Sequence, residues 1–82
     1  MIISADDVRD LLAADADAVL VVVEGHTAVV SSAELESPQY LGALQVVTHA
    51  ELADRVGRTA LSERELVEVA ADLDTAVSEM GG

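Results

Sequence analysis

Hydrophobic positions change their spacing several times along the chain, and each spacing predicts a different element. Val8, Leu11 and Leu12 recur at helical spacing near the start. They predict a helix over about residues 5–14. Residues 18–23 have the sequence Ala-Val-Leu-Val-Val-Val, which is apolar on both faces and rich in β-branched side chains. Such a run is typical of a central strand that is covered on both sides.

A β-hairpin is predicted where this first strand ends. A second short apolar run, residues 28–31, follows after four residues that include Gly25 and His26. With glycine in the first position, a two-residue Gly25-His26 loop suits a type II′ turn. The register that follows has these pairs: Val23 with Ala28, Val22 with Val29, and Val21 with Val30.

The next part of the chain predicts a loop, a strand and a short helix. Residues 32–42 have no sustained periodicity, so they are predicted to form a loop of about ten residues, which is long for a small domain and often functional. Residues 43–47 predict a third strand. Thr48 and Glu51 have the spacing of a capping box, so a helix begins at residue 49 and ends at Gly57.

A longer helix is predicted at the end of the chain. Ser62 and Glu65 form a second capping box at its start, and Gly81-Gly82 ends it. Between them, one apolar stripe follows the helical repeat and consists of Leu66, Val69, Ala70, Leu73, Ala76, Val77 and Met80. This stripe predicts a face that packs on the rest of the domain.

Together these elements predict a single α+β domain over residues 1–82. Their order is helix, strand, strand, strand, helix, helix. The simplest architecture is a mainly antiparallel three-stranded sheet with helices packed on it. The sheet would have four strands if Met1-Ile2-Ile3 added an edge strand. A chain of 82 residues leaves room for one hydrophobic core only.

Composition makes that core small and aliphatic. Tyr40 is the only aromatic residue, and the absence of cysteine excludes a disulfide. Both faces of the predicted hairpin are apolar, and three helices, two of them short, are few to cover both. Because an uncovered apolar face on a soluble protein marks an interface, the sequence predicts a homodimer.

The charge of the chain limits the kinds of molecule that it can bind. Sixteen acidic residues stand against four arginines, with no lysine, and the net charge is −12. Such a charge repels DNA, RNA and anionic lipid, and favours a second partner with a basic surface. High-GC coding or salt adaptation would produce a similar composition. The longest apolar run is too short to span a membrane and no signal peptide is recognisable, so the expected compartment is the cytoplasm.

Few residues are candidates for chemistry. His26 is placed in the hairpin turn and His49 in the first turn of a helix, where an exposed histidine needs no special role. His49 and Glu51 are two residues apart, so on a helix they point about 200° apart and cannot share a metal ion. No glycine-rich phosphate motif occurs. The sequence therefore predicts no enzyme, no metal and no cofactor.

Residues 48–57, Thr-His-Ala-Glu-Leu-Ala-Asp-Arg-Val-Gly, resemble the opening helix and turn of a repressor-type helix-turn-helix. The resemblance implies that the following helix reads DNA. That helix carries Arg64 against five acids, which are Glu63, Glu65, Glu68, Asp72 and Asp74. A recognition helix needs basic and polar groups facing phosphates and base edges, so the charge argues against DNA binding.

The sequence favours a non-enzymatic protein-interaction domain whose partner surface lies on the 32–42 loop. Tyr40, Leu41, Glu36 and His49 are the predicted partner-binding residues, because tyrosine is favoured at interfaces and His49 begins the neighbouring helix. In the competing interpretation, Tyr40 and Leu41 fold back onto the core. Two other functions stay open: a small-molecule binder with a pocket under the loop, and an acidic mimic of nucleic acid.

Overall fold

The computed structural model describes residues 2–57 and 61–79. It confirms the α+β class and the predicted order of helix, three strands and helices, and it adds short helices between the second and third strands. The elements are α1 (Ala5–Ala13), β1 (Val19–Val23), β2 (His26–Val30), α2 (Ser32–Leu35), a 3-10 helix (Pro38–Tyr40), β3 (Leu44–Thr48), α3 (His49–Val56) and α4 (Glu63–Glu79). The helix end predicted at residues 80–82 lies outside the described residues.

The sheet has the order β2-β1-β3 and is antiparallel throughout. The apolar strand β1 is central, as its sequence predicts. Successive side chains of a strand point to opposite faces, and both Leu20 and Val21 are fully buried. The fourth strand proposed for the N-terminus does not form in the described residues. The amides of Ile2 and Ile3 instead donate to Asp74 Oδ1 at 2.7 and 3.1 Å.

The hairpin forms, but its turn begins one residue earlier than predicted and the predicted register is wrong by two residues. Glu24 and Gly25 occupy the turn with φ of 51° and 82°. Positive φ at both central positions defines a type I′ turn, which favours glycine in the second position. Val23 therefore pairs with His26, which is the first residue of β2 and not a turn residue. A shift of two residues keeps every side chain on its predicted face.

Strand β3 contains a β-bulge. Leu20 pairs with Val47 and Val21 pairs with Gln45, so Val46 is the extra residue. Both Val46 and Val47 pack towards the helices. The bulge thus adds a second apolar side chain to the same face of the sheet.

Helices α1, α3 and α4 cover one face of the sheet, called the helix side below. The predicted stripe of α4 is confirmed in four buried residues, Leu66, Ala70, Leu73 and Val77; Met80 lies outside the described residues. These side chains share one core cluster with others from α1, β1 and α3, which include Val8, Leu11, Leu20 and Leu52. None of the described helices is both long and apolar enough to cross a bilayer.

Each of the four α-helices in the described part of the chain begins with a reciprocal capping box. The first residue of each pair accepts a backbone N–H bond, and the acidic side chain three residues on accepts one in return. The pairs are Ser4 with Asp7, Ser31 with Glu34, Thr48 with Glu51, and Ser62 with Glu65. The capping boxes predicted at Thr48 and Ser62 are confirmed, whereas the box of Ser31 and Glu34 lies where the sequence predicts the end of a strand and the start of a loop.

Candidate interaction surface

Residues 31–43, called the cover segment below, are a series of hydrogen-bonded turns and not the predicted open loop. The Ser37 amide donates to the Glu34 carbonyl oxygen at 2.9 Å, and the Tyr40 amide donates to the Ser37 carbonyl oxygen at 3.0 Å. The Ala43 amide donates to the Tyr40 carbonyl oxygen at 3.1 Å. Proline at the start of the 3-10 helix presets its backbone angle. The segment is therefore held in one conformation.

The inner side of the cover segment packs on the face of the sheet opposite to the helix side. Leu35, Tyr40 and Ala43 contact a cluster of three valines, which are Val19, Val21 and Val30. The valines are 5%, 0% and 3% exposed, so one chain covers both faces of its own sheet. Tyr40 is half-buried in this contact. It packs on the core, as the competing interpretation of Tyr40 expected.

The outer side of the cover segment exposes Leu41. This side chain is 77% exposed, against 51% for Val67 and 40% for Ile2, the other exposed large hydrophobic residues of the described chain. Leu41 has φ −63° and ψ 127°, and Gly42 has φ 82°. Those angles, with the hydrogen bond that closes the turn, define a type II turn, which requires positive φ at the position of Gly42. The turn fixes the backbone from which Leu41 projects into solvent.

The structure separates His49 from the other predicted partner residues. His49 Nε2 lies 3.3 Å from the carbonyl oxygen of Leu12, near the end of α1, and the ring is half-buried. Helix α1 packs on the helix side of the sheet, whereas Tyr40 packs on the opposite face. His49 therefore links α3 to α1, and of the four predicted partner residues only Glu36 and Leu41 are exposed on the cover segment.

Acidic side chains gather at one edge of the cover segment. Asp15, Asp17 and Glu34 line an open cleft of about 230 Å³ together with Ser31 and apolar neighbours. The Ser32 hydroxyl donates to Asp17 Oδ2 at 3.0 Å, which joins the α1–β1 turn to α2. Asp15 and Asp17 are not among the partner-binding residues that the sequence predicts. Their position depends on a tertiary contact that no local pattern signals.

The arginines of the described residues lie elsewhere. Arg9 pairs with Asp6 and Glu63, and these carboxylates, Glu63 foremost, raise the pKa of Arg9. Elsewhere in the described residues, Arg55 pairs with Asp72 at 3.3 Å and Arg64 pairs with Glu68 at 3.6 Å. All of these pairs involve α1, α3 and α4. Within the described chain, no arginine pairs with an acid of the cover segment.

The described residues provide few of the features that metal binding or acid–base catalysis requires. Among them, no three histidine, aspartate or glutamate side chains are placed to hold a metal ion, and no polar or charged residue is buried. General acid–base catalysis uses a carboxylate or histidine held in a desolvated pocket. Beneath the cover segment, Leu35, Tyr40 and Ala43 pack on the valine cluster of the sheet. A groove of about 450 Å³, lined by Val22, Leu44 and Val77 among others, lies on the helix side.

Comparison with protein-family models, with curated proteins and with solved structures yields no match for this chain. Of the four predicted partner residues, Leu41 and Glu36 are exposed on the cover segment, Tyr40 lies beneath it, and His49 lies on the helix side. The surface with the clearest functional potential is thus the outer side of the cover segment.

Proposed function

We propose that the protein is a non-enzymatic protein-interaction domain that presents Leu41 to another protein. The observation that carries the proposal is the 77% exposure of Leu41 on a turn of fixed backbone. Burying a leucine side chain in a partner's pocket contributes about 1.5–3 kcal/mol. Because the turn is already ordered, little conformational entropy is lost when it binds. We keep the cytoplasm as the expected compartment.

The sequence predicts a homodimer because one apolar face of the sheet is expected to be uncovered. The cover segment instead buries the valines of that face within one chain. No observation tests self-association itself. In the described part of the chain, Leu41 is the most exposed large apolar residue that a second copy could contact. The same residue therefore tests both kinds of partner.

Affinity capture with matched variants tests the proposal. The full chain is immobilised as wild type, Leu41→Ser and Val67→Ser, and the proteins retained from the native lysate are quantified by mass spectrometry. Val67 is the matched control because it is an exposed aliphatic residue on α4. We expect a protein that wild type and Val67→Ser retain and that Leu41→Ser loses. Equal retention by all three chains would contradict the proposal. Thermal melts confirm that each variant is folded.

A further inference from the structure

We infer that the outer edge of β2 binds an extended, basic segment of another protein, which pairs with it as an added strand. The inference does not involve Leu41 and goes beyond the proposed function. In the order β2-β1-β3, strand β2 lies at one edge of the sheet. An edge strand carries backbone N–H and C=O groups that no neighbouring strand pairs, and these groups are a template for a further strand.

The hydrogen bonds around β1 show which groups of β2 are unpaired. The carbonyl oxygen of Ala18, directly before β1, accepts the His49 amide at 2.8 Å, so the even-numbered residues of this strand point their backbone groups towards β3. The odd-numbered residues point theirs towards β2, where Val21 pairs with Ala28. Thr27 and Val29 alternate with the residues bonded in this way. Their N–H and C=O groups therefore point away from the sheet, and in the described chain they have no other backbone partner.

The two edges of the sheet differ in their protection against a further strand. Natural edge strands are protected by bulges, prolines or charged side chains. Strand β3 has its bulge at Val46, and the Thr48 amide already donates to Glu51 Oε1 at 3.1 Å. Strand β2 has the sequence His-Thr-Ala-Val-Val and pairs with β1 without a bulge. It is therefore the edge that accepts a regular partner strand.

The charge beside this edge indicates the kind of segment that binds. The open cleft of about 230 Å³ is lined by Val29 and Val30 of β2 and also by three acids, Asp15, Asp17 and Glu34. All three acids are exposed, and no arginine of the described chain pairs with them. A segment paired along β2 would meet this cleft beside Val29. Basic side chains on the segment would gain there from complementary charge.

The same two features decide between partners. A second copy of this chain has the same free edge, but it would bring a net charge of −12 to the contact. Nucleic acid and anionic lipid would be repelled, and they offer no peptide backbone to pair with. In strand addition, main-chain hydrogen bonds give affinity and side chains give specificity. A basic extended segment of a different protein satisfies both the backbone groups and the charge.

Hydrogen exchange followed by NMR tests this inference on the isotope-labelled full chain. The probes are three synthetic peptides of equal length with alternating valine and threonine, which carry lysines, serines or glutamates at both ends. We expect the lysine peptide to slow exchange of the Thr27 and Val29 amides by about tenfold or more. The amides of His26 and Ala28, which already face β1, should change less. Protection confined to other residues, or none with any peptide, would overturn the inference. Equal binding of the serine peptide would overturn the basic partner.

Proline at the edge tests the backbone contact directly. Thr27→Pro removes an N–H group that faces away from the sheet, a position where edge strands accept proline. The matched control is Thr27→Val, which loses the same hydroxyl and keeps the amide. We expect Thr27→Pro to weaken binding of the lysine peptide about three- to tenfold relative to Thr27→Val. Equal affinities would overturn the inference. Thermal melts confirm that both variants fold, and exchange in wild type decides the question if Thr27→Pro does not.

Matched charge variants test the basic character of the segment. Asp15→Asn with Asp17→Asn removes two charges from the cleft, whereas Asp54→Asn with Glu68→Gln removes two exposed charges from α3 and α4. We expect the first pair to weaken binding of the lysine peptide about threefold or more at low salt, and the second pair to leave it nearly unchanged. Equal weakening by both pairs would show diffuse attraction and overturn the choice of a basic segment.

Two further measurements separate this surface from the other candidates. Leu41→Ser should bind the lysine peptide as wild type does, so this result leaves the proposed function to its own test. Loss of binding in Leu41→Ser would place the peptide on the cover segment and overturn the inference. Protection of Thr27 and Val29 that appeared without peptide and grew with protein concentration would identify a second copy as the occupant, which would also overturn it.

Discussion

Among the single residues that the structure describes, Glu24 adopts the least favourable backbone conformation. It has a φ of 51° in the first central position of the β1–β2 turn. Asparagine adopts this left-handed region more readily than a longer side chain, and Asn-Gly is a preferred pair for a type I′ turn. We predict that Glu24→Asn raises the free energy of unfolding by about 0.5–1 kcal/mol.

Urea denaturation measures this change, with an unchanged slope expected because the hairpin keeps its surface. The matched control is Glu24→Val, since a β-branched side chain at positive φ is strained and should lower the free energy of unfolding. If the asparagine variant were no more stable than wild type, the turn would not be strained at Glu24.

Asp74 gives the fold a dependence on acid pH. The amide of Ile3, followed by that of Ile2, donates to its carboxylate and holds the pKa of Asp74 below its ordinary value. A depressed folded-state pKa means that the carboxylate stabilises the fold above its unfolded pKa. That stabilisation is lost as the pH falls through the folded-state value. We therefore predict that Asp74→Asn melts at a lower temperature than wild type at neutral pH.

The difference between the two melting temperatures should begin to shrink as the pH falls below about 4, the ordinary pKa of an aspartate, and should be smallest below the lower folded-state pKa of Asp74. Differential scanning calorimetry across that range measures it. Asp10→Asn is the control, because Asp10 is exposed on α1. A difference that stayed constant with pH would show that the charge of Asp74 contributes nothing.

Among the elements, the cover segment has two sides with different roles, and neighbouring residues distinguish them. Tyr40 packs on the valine cluster while half-buried, whereas Leu41 projects outward. We predict that Tyr40→Ala lowers the free energy of unfolding by about 1–3 kcal/mol, less than for a fully buried aromatic residue. Leu41→Ala should change it by less than about 0.5 kcal/mol.

Chemical denaturation of both variants measures how much each side chain contributes to stability. Capture of the partner measures how much each contributes to binding. Leu41→Ala should lose partner binding and keep its stability. A stable Tyr40→Ala variant would show that the cover segment does not depend on Tyr40 for its packing. A large loss of stability in Leu41→Ala would place that side chain in the core.

The elements differ in how well their sequence predicts them. Helices α1, α3 and α4 are long enough for apolar spacing and caps to agree, and their predictions are confirmed. Helix α2 has four residues, which is too short for periodicity to show. Its signal was the Ser31–Glu34 capping box alone. The hairpin register was wrong because a shift of two residues leaves the hydrophobic pattern of both faces unchanged.

The candidate surface was harder to predict than the elements. Glu36 and Leu41 are exposed on the cover segment, but the sequence offered two positions for Tyr40 and no means to choose between them. His49 follows β3 directly, yet its ring turns towards α1 because Leu12 lies within reach on the helix side. Asp15 and Asp17 join the surface through tertiary contacts. Local patterns carry no information about such contacts.

At the scale of the whole molecule, the covered faces of the sheet and the net charge both disfavour self-association. The cover segment leaves Val19, Val21 and Val30 nearly inaccessible, so no broad apolar face of the sheet is left for a second copy. Two chains with a net charge of −12 also repel each other at low salt. We therefore predict the mass of a single chain, 8.5 kDa, in sedimentation equilibrium at about micromolar concentration.

Repeating the sedimentation at high salt with wild type and Leu41→Ser completes the test, because salt screens the repulsion that would hide a weak dimer. A doubled mass in wild type that Leu41→Ser loses would identify a second copy as the partner of the cover segment. A doubled mass that Leu41→Ser retains would place a self-interface elsewhere on the molecule. A single-chain mass for both proteins at every salt concentration is the expected result, and it leaves the outer side of the cover segment free for a different protein.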